Sequence, residues 1–169
     1  MRLCETDGWQ AARHRYARVL AETADCGMPG LTQGAAALVA LVPVMRGDAL
    51  PRPGDFDGLD AGPYRPRLTP LLLAASGDSE RARQALSTVP RPPHDLLQEA
   101  LWYGLARAAA SVGHLPVLRR VREELSDAEA EFVGTGSGLV SFGPVRRHLA
   151  AAGTAIEAHA SGHRRPTPH

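Results

Sequence analysis

The feature that most constrains this chain is a series of apolar side chains spaced by one helical turn. The series lies in residues 97–112 and consists of Leu97, Leu101, Leu105, Ala108 and Val112. Intervals of three or four residues place side chains on one face of an α-helix. β-branched and aromatic residues are scarce along the chain, whereas Ala and Leu are abundant. This composition favours helix over strand, so the sequence predicts an all-α protein.

Turn and capping residues divide the pattern into separate helices. Aspartate at an N-cap and proline in a first turn both favour a helix start. We expect five such starts, at Asp7, Asp78, Asp95, Pro116 and Pro144. Two more helices are predicted, one over about residues 31–45, where Pro43 bends or ends it, and one over about residues 70–76. The sequence therefore predicts about six to eight helices.

Two segments lack the helical pattern. Residues 47–66 are dense in Gly, Pro and Asp, and we expect a long exposed loop or a partly disordered insertion there. Asp55, Asp57 and Asp60 lie in this segment, but their spacing without a Glu partner does not fit an EF-hand. A solvated loop is therefore favoured over a metal site. Residues 161–169 are predicted to form a flexible tail, which leaves one helical-repeat domain over residues 1–160.

Composition excludes several classes of protein. The net charge of +1 provides no overall field for nucleic acid or an anionic membrane. All nineteen basic residues are Arg, and Asn is also absent, which we interpret as the coding bias of a high-GC bacterial genome. Cys4 and Cys26 are expected to be reduced thiols. No charged segment followed by an apolar core opens the sequence, so we expect no secretion, and the longest apolar run is too short to span a membrane. A cytoplasmic protein is expected.

A glycine-rich segment, GTGSGLVSFGPV at residues 134–145, raises the question of phosphate binding. A Walker A loop requires a Lys, which the chain lacks, and a dinucleotide fingerprint must follow a strand. Ser137 also lacks the G-x-S-x-G frame of a nucleophile elbow. A compact turn is therefore favoured, in which glycine allows positive φ values. We expect this turn to pack four apolar side chains under the last helix: Phe132, Leu139, Val140 and Phe142.

No other constellation predicts a catalytic residue, a metal site or a cofactor. The seven histidines form no metal-binding motif, and a half-buried structural role is favoured for His148 over a catalytic base. Glu129 and Glu131 would diverge on a helix and so would not form an acid–base pair. Arginines on two predicted helices could form a basic surface: Arg119, Arg120, Arg122, Arg146 and Arg147. Glutamates at i, i+4 favour a charge-paired solvated face over DNA contact.

Turns that join the helices recur along the chain. They begin at Asp7, Gly77 and Gly113, at spacings of 70 and 36 residues. A helix–turn–helix period near 34 resembles a tetratricopeptide array. In the best repeat, over about residues 99–130, Trp102 falls on a key position and Arg122 departs from the preferred residue. The resemblance implies antiparallel helix pairs stacked in a right-handed α-solenoid with one shared core.

A second resemblance covers about residues 64–153. This region is similar to the C-terminal tetratricopeptide-like part of antibiotic-regulatory activators with a bacterial transcriptional activator domain, and of ATP-binding LuxR-type regulators. The residues that carry it are Gly134, Gly136, Ser137, Gly138, Gly143, Pro144, Val145, His148 and Leu149. Those families owe their activity to a DNA-reading or ATPase part, which has no counterpart here. The resemblance implies a sensor or scaffold part, as a stand-alone protein or a remnant of a longer regulator.

These observations lead us to expect a non-catalytic protein–protein interaction module in bacterial regulation of transcription or specialised metabolism. The expected partner is a protein, with a DNA-binding or ATPase regulator as the candidate, and we expect no direct nucleic-acid or membrane contact. The candidate partner-binding residues are Trp9, Tyr16, Trp102, Tyr103, Arg119 and Arg122. Core packing is the alternative for the four aromatic residues. The alternative function is a small helical enzyme or ligand-binding protein with an apolar pocket between helices, in a biosynthetic pathway.

Overall fold

The computed structural model describes residues 5–47, 58–134 and 141–162. This part of the chain is mostly helical, as the sequence predicts, and also contains one two-stranded antiparallel sheet. The elements in chain order are α1 (Glu5–Glu22), α2 (Pro29–Arg46), α3 (Arg65–Ala75), α4 (Ser79–Ser87), α5 (Gln98–Val112), α6 (Leu115–Leu125), β1 (Phe132–Gly134), β2 (Ser141–Pro144) and α7 (Val145–Gly162).

Local capping explains where several helices begin and end. Asp78 caps α4 as predicted, because its Oδ1 accepts a hydrogen bond from the backbone N–H of Arg81 at 3.2 Å. Helix α2 passes through Pro43 and ends at Gly47, which adopts a left-handed conformation with φ of 82°. Asp95 does not cap α5 directly; it closes the preceding turn by accepting from the N–H of Leu97 at 2.9 Å. Asp7 lies inside α1 rather than at its start.

The prediction of a long exposed loop over residues 47–66 is wrong for the second half of that segment. Leu59, Ala61 and Tyr64 are buried in the hydrophobic core, and α3 begins at Arg65, earlier than predicted. Tyr64 occupies space that is free only because Gly34 has no side chain, since a Cβ there would overlap the Tyr64 ring. The Tyr64 hydroxyl donates to Asp95 Oδ2 at 2.5 Å. These contacts attach the segment to α2 and α5, while residues 48–57, including Asp55 and Asp57, lie outside the described residues.

Helix α5 is the centre of the molecule. Most of its residues are buried, and it packs against α3, α4 and α6, with smaller contacts to α2, α7 and β1. Helices adjacent in sequence also pack together, as in the pairs α1–α2, α3–α4, α5–α6 and α6–α7. The connections over residues 76–78 and 113–114 are short, which is typical of antiparallel neighbours. One continuous core therefore runs through the described part of the chain.

The two strands depart from the all-α prediction. They flank residues 135–140, which include Leu139 and Val140 and lie outside the described residues. Val133 pairs with Gly143, and the register shifts between Val133 and Gly134. Because side chains alternate along a strand, Val133 is fully buried while Phe132 is 67% exposed. The prediction that Phe132 packs under the last helix is therefore wrong. Phe142 is half-buried and does pack against the core.

The last described helix is longer than predicted. Helix α7 begins at Val145, directly after Pro144 has ended β2, and it continues to Gly162. It therefore passes the predicted end of the domain at residue 160. Residues 163–169, which make up most of the predicted tail, lie outside the described residues.

Candidate binding cleft

A cleft of about 500 Å³ opens on one side of α7. It is bounded by α5, α7, β2, the last residue of α2 and one residue of α6. Its floor consists of buried side chains, including Ala106, Leu118 and Ala152. Its rim carries three exposed arginines, Arg46, Arg107 and Arg147. We call this site the cationic cleft.

Each arginine reaches the cleft from a different element. Arg46 is the last residue of α2, and its Nη2 donates to the backbone carbonyl of Ser141 in β2 at 3.3 Å. Arg107 lies on the exposed face of α5, with its Nη2 close to Gly47. Arg147 lies in the first turn of α7, where the positive end of the helix dipole adds to its charge. The fold thus concentrates positive charge from three separate segments.

Behind the arginines lies a cluster of three rings. The Tyr103 ring centroid is 4.7 Å from that of Phe142 and 4.4 Å from that of His148. The Tyr103 hydroxyl donates to the carbonyl of Met45 at 3.0 Å, which ties α5 to α2. His148 Nε2 lies 2.9 Å from the Phe142 carbonyl, so its N–H donates there and ties α7 to β2. The cluster therefore joins α2, α5, β2 and α7, four of the five elements that form the cleft.

Both titratable rings of this cluster are held uncharged at neutral pH. Burial raises the pKa of Tyr103, against the opposing effect of the nearby Arg107, Arg147 and Arg46. Burial also lowers the pKa of His148, and Arg147 and Arg107 lower it further, while the hydrogen bond to Phe142 opposes the shift. The positive charge of the cleft consequently comes from its arginines alone.

A second depression lies on the other side of α7. Its volume is about 790 Å³, and it is formed by α6, α7 and the turn after α6. We call it the mixed-charge groove, because it carries three arginines and three glutamates: Arg119, Arg122, Arg146, Glu123, Glu129 and Glu157. The α7 residues of the cleft and of the groove lie on opposite faces of the helix, as their spacing requires.

The six residues proposed from the sequence do not converge on one site. Tyr103 lies in the floor of the cationic cleft, whereas Arg119 and Arg122 line the mixed-charge groove. Trp102 is fully buried in the core beneath the Arg120 guanidinium, which lies 5.3 Å from the ring centroid. No described residue accepts a hydrogen bond from Trp102 Nε1.

The other two aromatic candidates lie on α1. The Tyr16 hydroxyl donates to the Asp60 carbonyl at 2.8 Å and accepts from the Asp60 N–H at 3.0 Å. This position attaches the segment after residue 57 to α1 and gives Tyr16 a structural contact. Trp9 belongs to α1, but its side chain lies outside the described part of the structure.

Sequence reasoning missed the three arginines that define the cleft as a group. Arg46 and Arg107 were not singled out, and Arg147 was assigned to a basic surface together with residues of the groove. The expectation of a half-buried His148 is confirmed. A local signal existed in the i, i+4 pair of Tyr103 and Arg107, but Arg46 and Arg147 are brought there only by the packing of distant helices.

Other features of the described residues bear on the class of protein. No helix in this part of the chain is sufficiently long and apolar to cross a membrane. No group of three or more His, Cys, Asp or Glu side chains within the described ranges is arranged to hold a metal ion. Comparisons of the chain with protein-family models, with curated proteins and with solved structures find no match.

Proposed function

We propose that this protein is a non-catalytic helical-repeat module that binds a segment of a partner protein in bacterial regulation of transcription or specialised metabolism. The observation that carries the proposal is the cationic cleft, where exposed arginines surround a buried apolar floor. Protein-binding sites combine such apolar centres with a polar rim, and arginine is enriched in them. The regulatory setting rests on the resemblance of residues 64–153 to the C-terminal parts of bacterial regulators.

The stacking of the helices supports the finer part of the proposal, a tetratricopeptide-like right-handed solenoid of antiparallel pairs. Successive helices pack on one another, two of the connections are short, and one core is shared. In such arrays each pair buries its apolar face only against its neighbours, and the stack leaves surfaces for other chains. The partner would be a DNA-binding or ATPase regulator, as the resemblance implies.

Affinity capture with matched baits tests this function. The baits are the unchanged protein, the double variant Arg107→Gln/Arg147→Gln and the control Arg81→Gln. Arg81 is an exposed residue of α4, paired with Asp78 at 3.4 Å and absent from the cleft lining. Quantitative mass spectrometry of a bacterial host lysate should recover a partner with the unchanged and control baits and deplete it with the double variant. Recovery of nothing above background with any bait would contradict the proposal.

The size of the cleft favours one alternative, the binding of a small ligand in a biosynthetic pathway. A volume of about 500 Å³ is within the usual range of small-molecule sites. Benzoate is a suitable probe because it combines a carboxylate with an aromatic ring. Thermal stabilisation of the unchanged protein by benzoate, lost in Arg107→Gln and kept in Arg81→Gln, would favour this alternative over a peptide site.

A further inference from the structure

Among the described residues, no side chain balances the positive charge of the cationic cleft. No carboxylate lines the cleft within the described residues, and none of the ion pairs there involves Arg46, Arg107 or Arg147. Among the described residues, Arg46 donates to the Ser141 carbonyl through one of its five N–H groups. Like charges brought together in this way repel each other, so the arrangement becomes favourable when an anion binds among them.

The three charges act on a common region. All three guanidinium groups affect the ionisation of the single Tyr103 hydroxyl in the floor of the cleft. Exposed guanidinium groups that converge on a partly apolar site form charge-assisted, planar hydrogen bonds with carboxylates. The recognised chemical group is therefore an anion rather than a cation or a neutral amide.

The apolar part of the cleft places a second requirement on the ligand. Beside the buried floor, the lining exposes apolar surface, because Ala110 and Ala151 are exposed and the Phe142 ring is half-buried. An apolar or aromatic group placed there would remove more of this surface from water. A fully hydrated anion would leave it uncovered, so the complementary ligand carries a carboxylate next to an aromatic side chain.

We infer that the cationic cleft binds an acidic segment of a partner protein in which carboxylates flank an aromatic residue. This inference rests on the proposed function and specifies the chemistry of its partner. A peptide fits better than a small molecule because the rim is exposed at Arg46, Arg107 and Arg147, so a bound chain can enter and leave the cleft. A site for a small ligand usually buries most of the surface of that ligand. An open rim does not provide such burial.

Three synthetic peptides test the inference on the full chain. Acetyl-EEFEE-amide carries both features, acetyl-QQFQQ-amide lacks the charge, and acetyl-EEGEE-amide lacks the ring. Their affinities are measured by chemical-shift changes of ¹⁵N-labelled protein at low salt. We expect the first peptide to bind tightest and to shift the amides of residues 103–107 and 145–148. Its affinity should fall as salt increases, because exposed charges are screened.

Variants locate the binding site. Arg107→Gln and Arg147→Gln should each weaken the first peptide by about tenfold, the size expected for one charge-assisted contact. Both residues are exposed and outside the core, so the variants should remain folded, which their thermal unfolding checks. If either proves unstable, Arg46→Gln replaces it. Arg81→Gln should leave the affinity unchanged, since this residue lies on α4.

Several outcomes would overturn the inference. These are equal binding of the charged and amide peptides, no detectable binding of the first peptide, and shifts that map to the mixed-charge groove with a loss in Arg119→Gln instead. Benzoate binding as tightly as the peptide would assign the cleft to a small molecule. A partner captured through the cleft while the peptide shows no charge dependence would leave the proposed function standing and reject only its acidic ligand.

Discussion

The cationic cleft and the mixed-charge groove lie on opposite sides of α7 and contain the same number of arginines, yet they differ in electrostatic balance. Three glutamates accompany the arginines in the groove, whereas no acidic residue among the described ones lines the cleft. Opposite charges on an exposed surface screen each other and contribute little. For the electrostatic balance of a surface, the number of arginines therefore matters less than the carboxylates beside them.

The two depressions also differ in what lies beneath them. Leu118, in the floor of the cleft, is fully buried in the core, whereas Leu149, in the groove, is half-buried. The cleft is thus part of the packed interior, with the charge at its edge. The groove is a surface feature between two helices. Mutations on the two sides of α7 should therefore affect stability to different extents.

The largest difference in stability between the two sides of α7 should come from truncating Leu118 and Leu149 to alanine. Leu118→Ala removes a fully buried side chain and should lower the free energy of unfolding by about 2–5 kcal/mol. Leu149→Ala removes a partly exposed one and should cost roughly 1 kcal/mol. Urea denaturation followed by circular dichroism measures both. Equal losses would show that the floor of the cleft is not part of the core.

Replacing each of two glycines with alanine should change the free energy of unfolding in opposite directions. Gly47 has a φ of 82°, and a Cβ there would lie 3.1 Å from Arg107 Nη2. Gly47→Ala should therefore destabilise the protein by about 1–2 kcal/mol, the cost of a left-handed residue with a side chain. Gly153→Ala, in α7 beside the groove, should stabilise it by roughly 0.5–1 kcal/mol through helix propensity.

The surroundings of Gly153 permit this gain, because its nearest neighbour, Arg122 Nη1, would lie 3.9 Å from the new Cβ, an ordinary contact distance. Both variants are measured by thermal and urea unfolding under identical conditions. A stabilising Gly47→Ala would contradict the left-handed end of α2. A destabilising Gly153→Ala would contradict the packing of α7 beside Arg122.

The helical content of the fold could be predicted because it depends on local patterns. The stripe from Leu97 to Val112 and the Asp78 cap each specify structure within a few residues, and both appear in the structure. The strands were missed because β1 and β2 are only three and four residues long, and their pairing joins segments on either side of residues 135–140. So short a strand carries almost no periodic signal.

The cleft could not be predicted for a related reason. Its arginines are separated by 61 and 40 residues in sequence, so no spacing rule brings Arg46, Arg107 and Arg147 together. Sequence reasoning instead grouped arginines that are close along the chain, including Arg119 and Arg122. The glutamates near Arg119 and Arg122 can be read from the sequence. Which arginines lack a carboxylate neighbour in the fold cannot, because this depends on tertiary packing.

Removing one hydroxyl on each side of α7 should have smaller effects. Tyr103→Phe keeps the ring contacts but loses the buried hydrogen bond to the Met45 carbonyl, which should cost about 0.5–1.5 kcal/mol. Ser126→Ala removes an exposed hydrogen bond to the Glu123 carbonyl at 2.8 Å and should change stability by less than about 0.5 kcal/mol. Urea denaturation compares them, and a larger loss for Ser126→Ala would contradict the expected burial of Tyr103.

The smallest effect should be a pH dependence that belongs to the cleft. His148 is partly buried beside Tyr103, Arg107 and Arg147, and its pKa in the folded protein is lowered mainly by desolvation. The unfolded chain should have an ordinary histidine pKa of about 6.5 and so binds the proton more strongly than the folded protein. The contribution of neutral His148 is complete above that value and decreases as the pH falls towards the folded pKa.

His148→Gln isolates this contribution, because glutamine can still donate to the Phe142 carbonyl but does not titrate. The difference in unfolding free energy between the two proteins should be constant above pH 7 and should shift in favour of the variant as the pH is lowered below 6.5. Carboxylates shared by both proteins cancel in this difference. No histidine lines the groove within the described residues, so groove variants such as Ser126→Ala should retain the full dependence. A difference that shifts in favour of the unchanged protein at low pH would mean that protonated His148 is stabilised in the fold. That result would contradict the lowered pKa of His148.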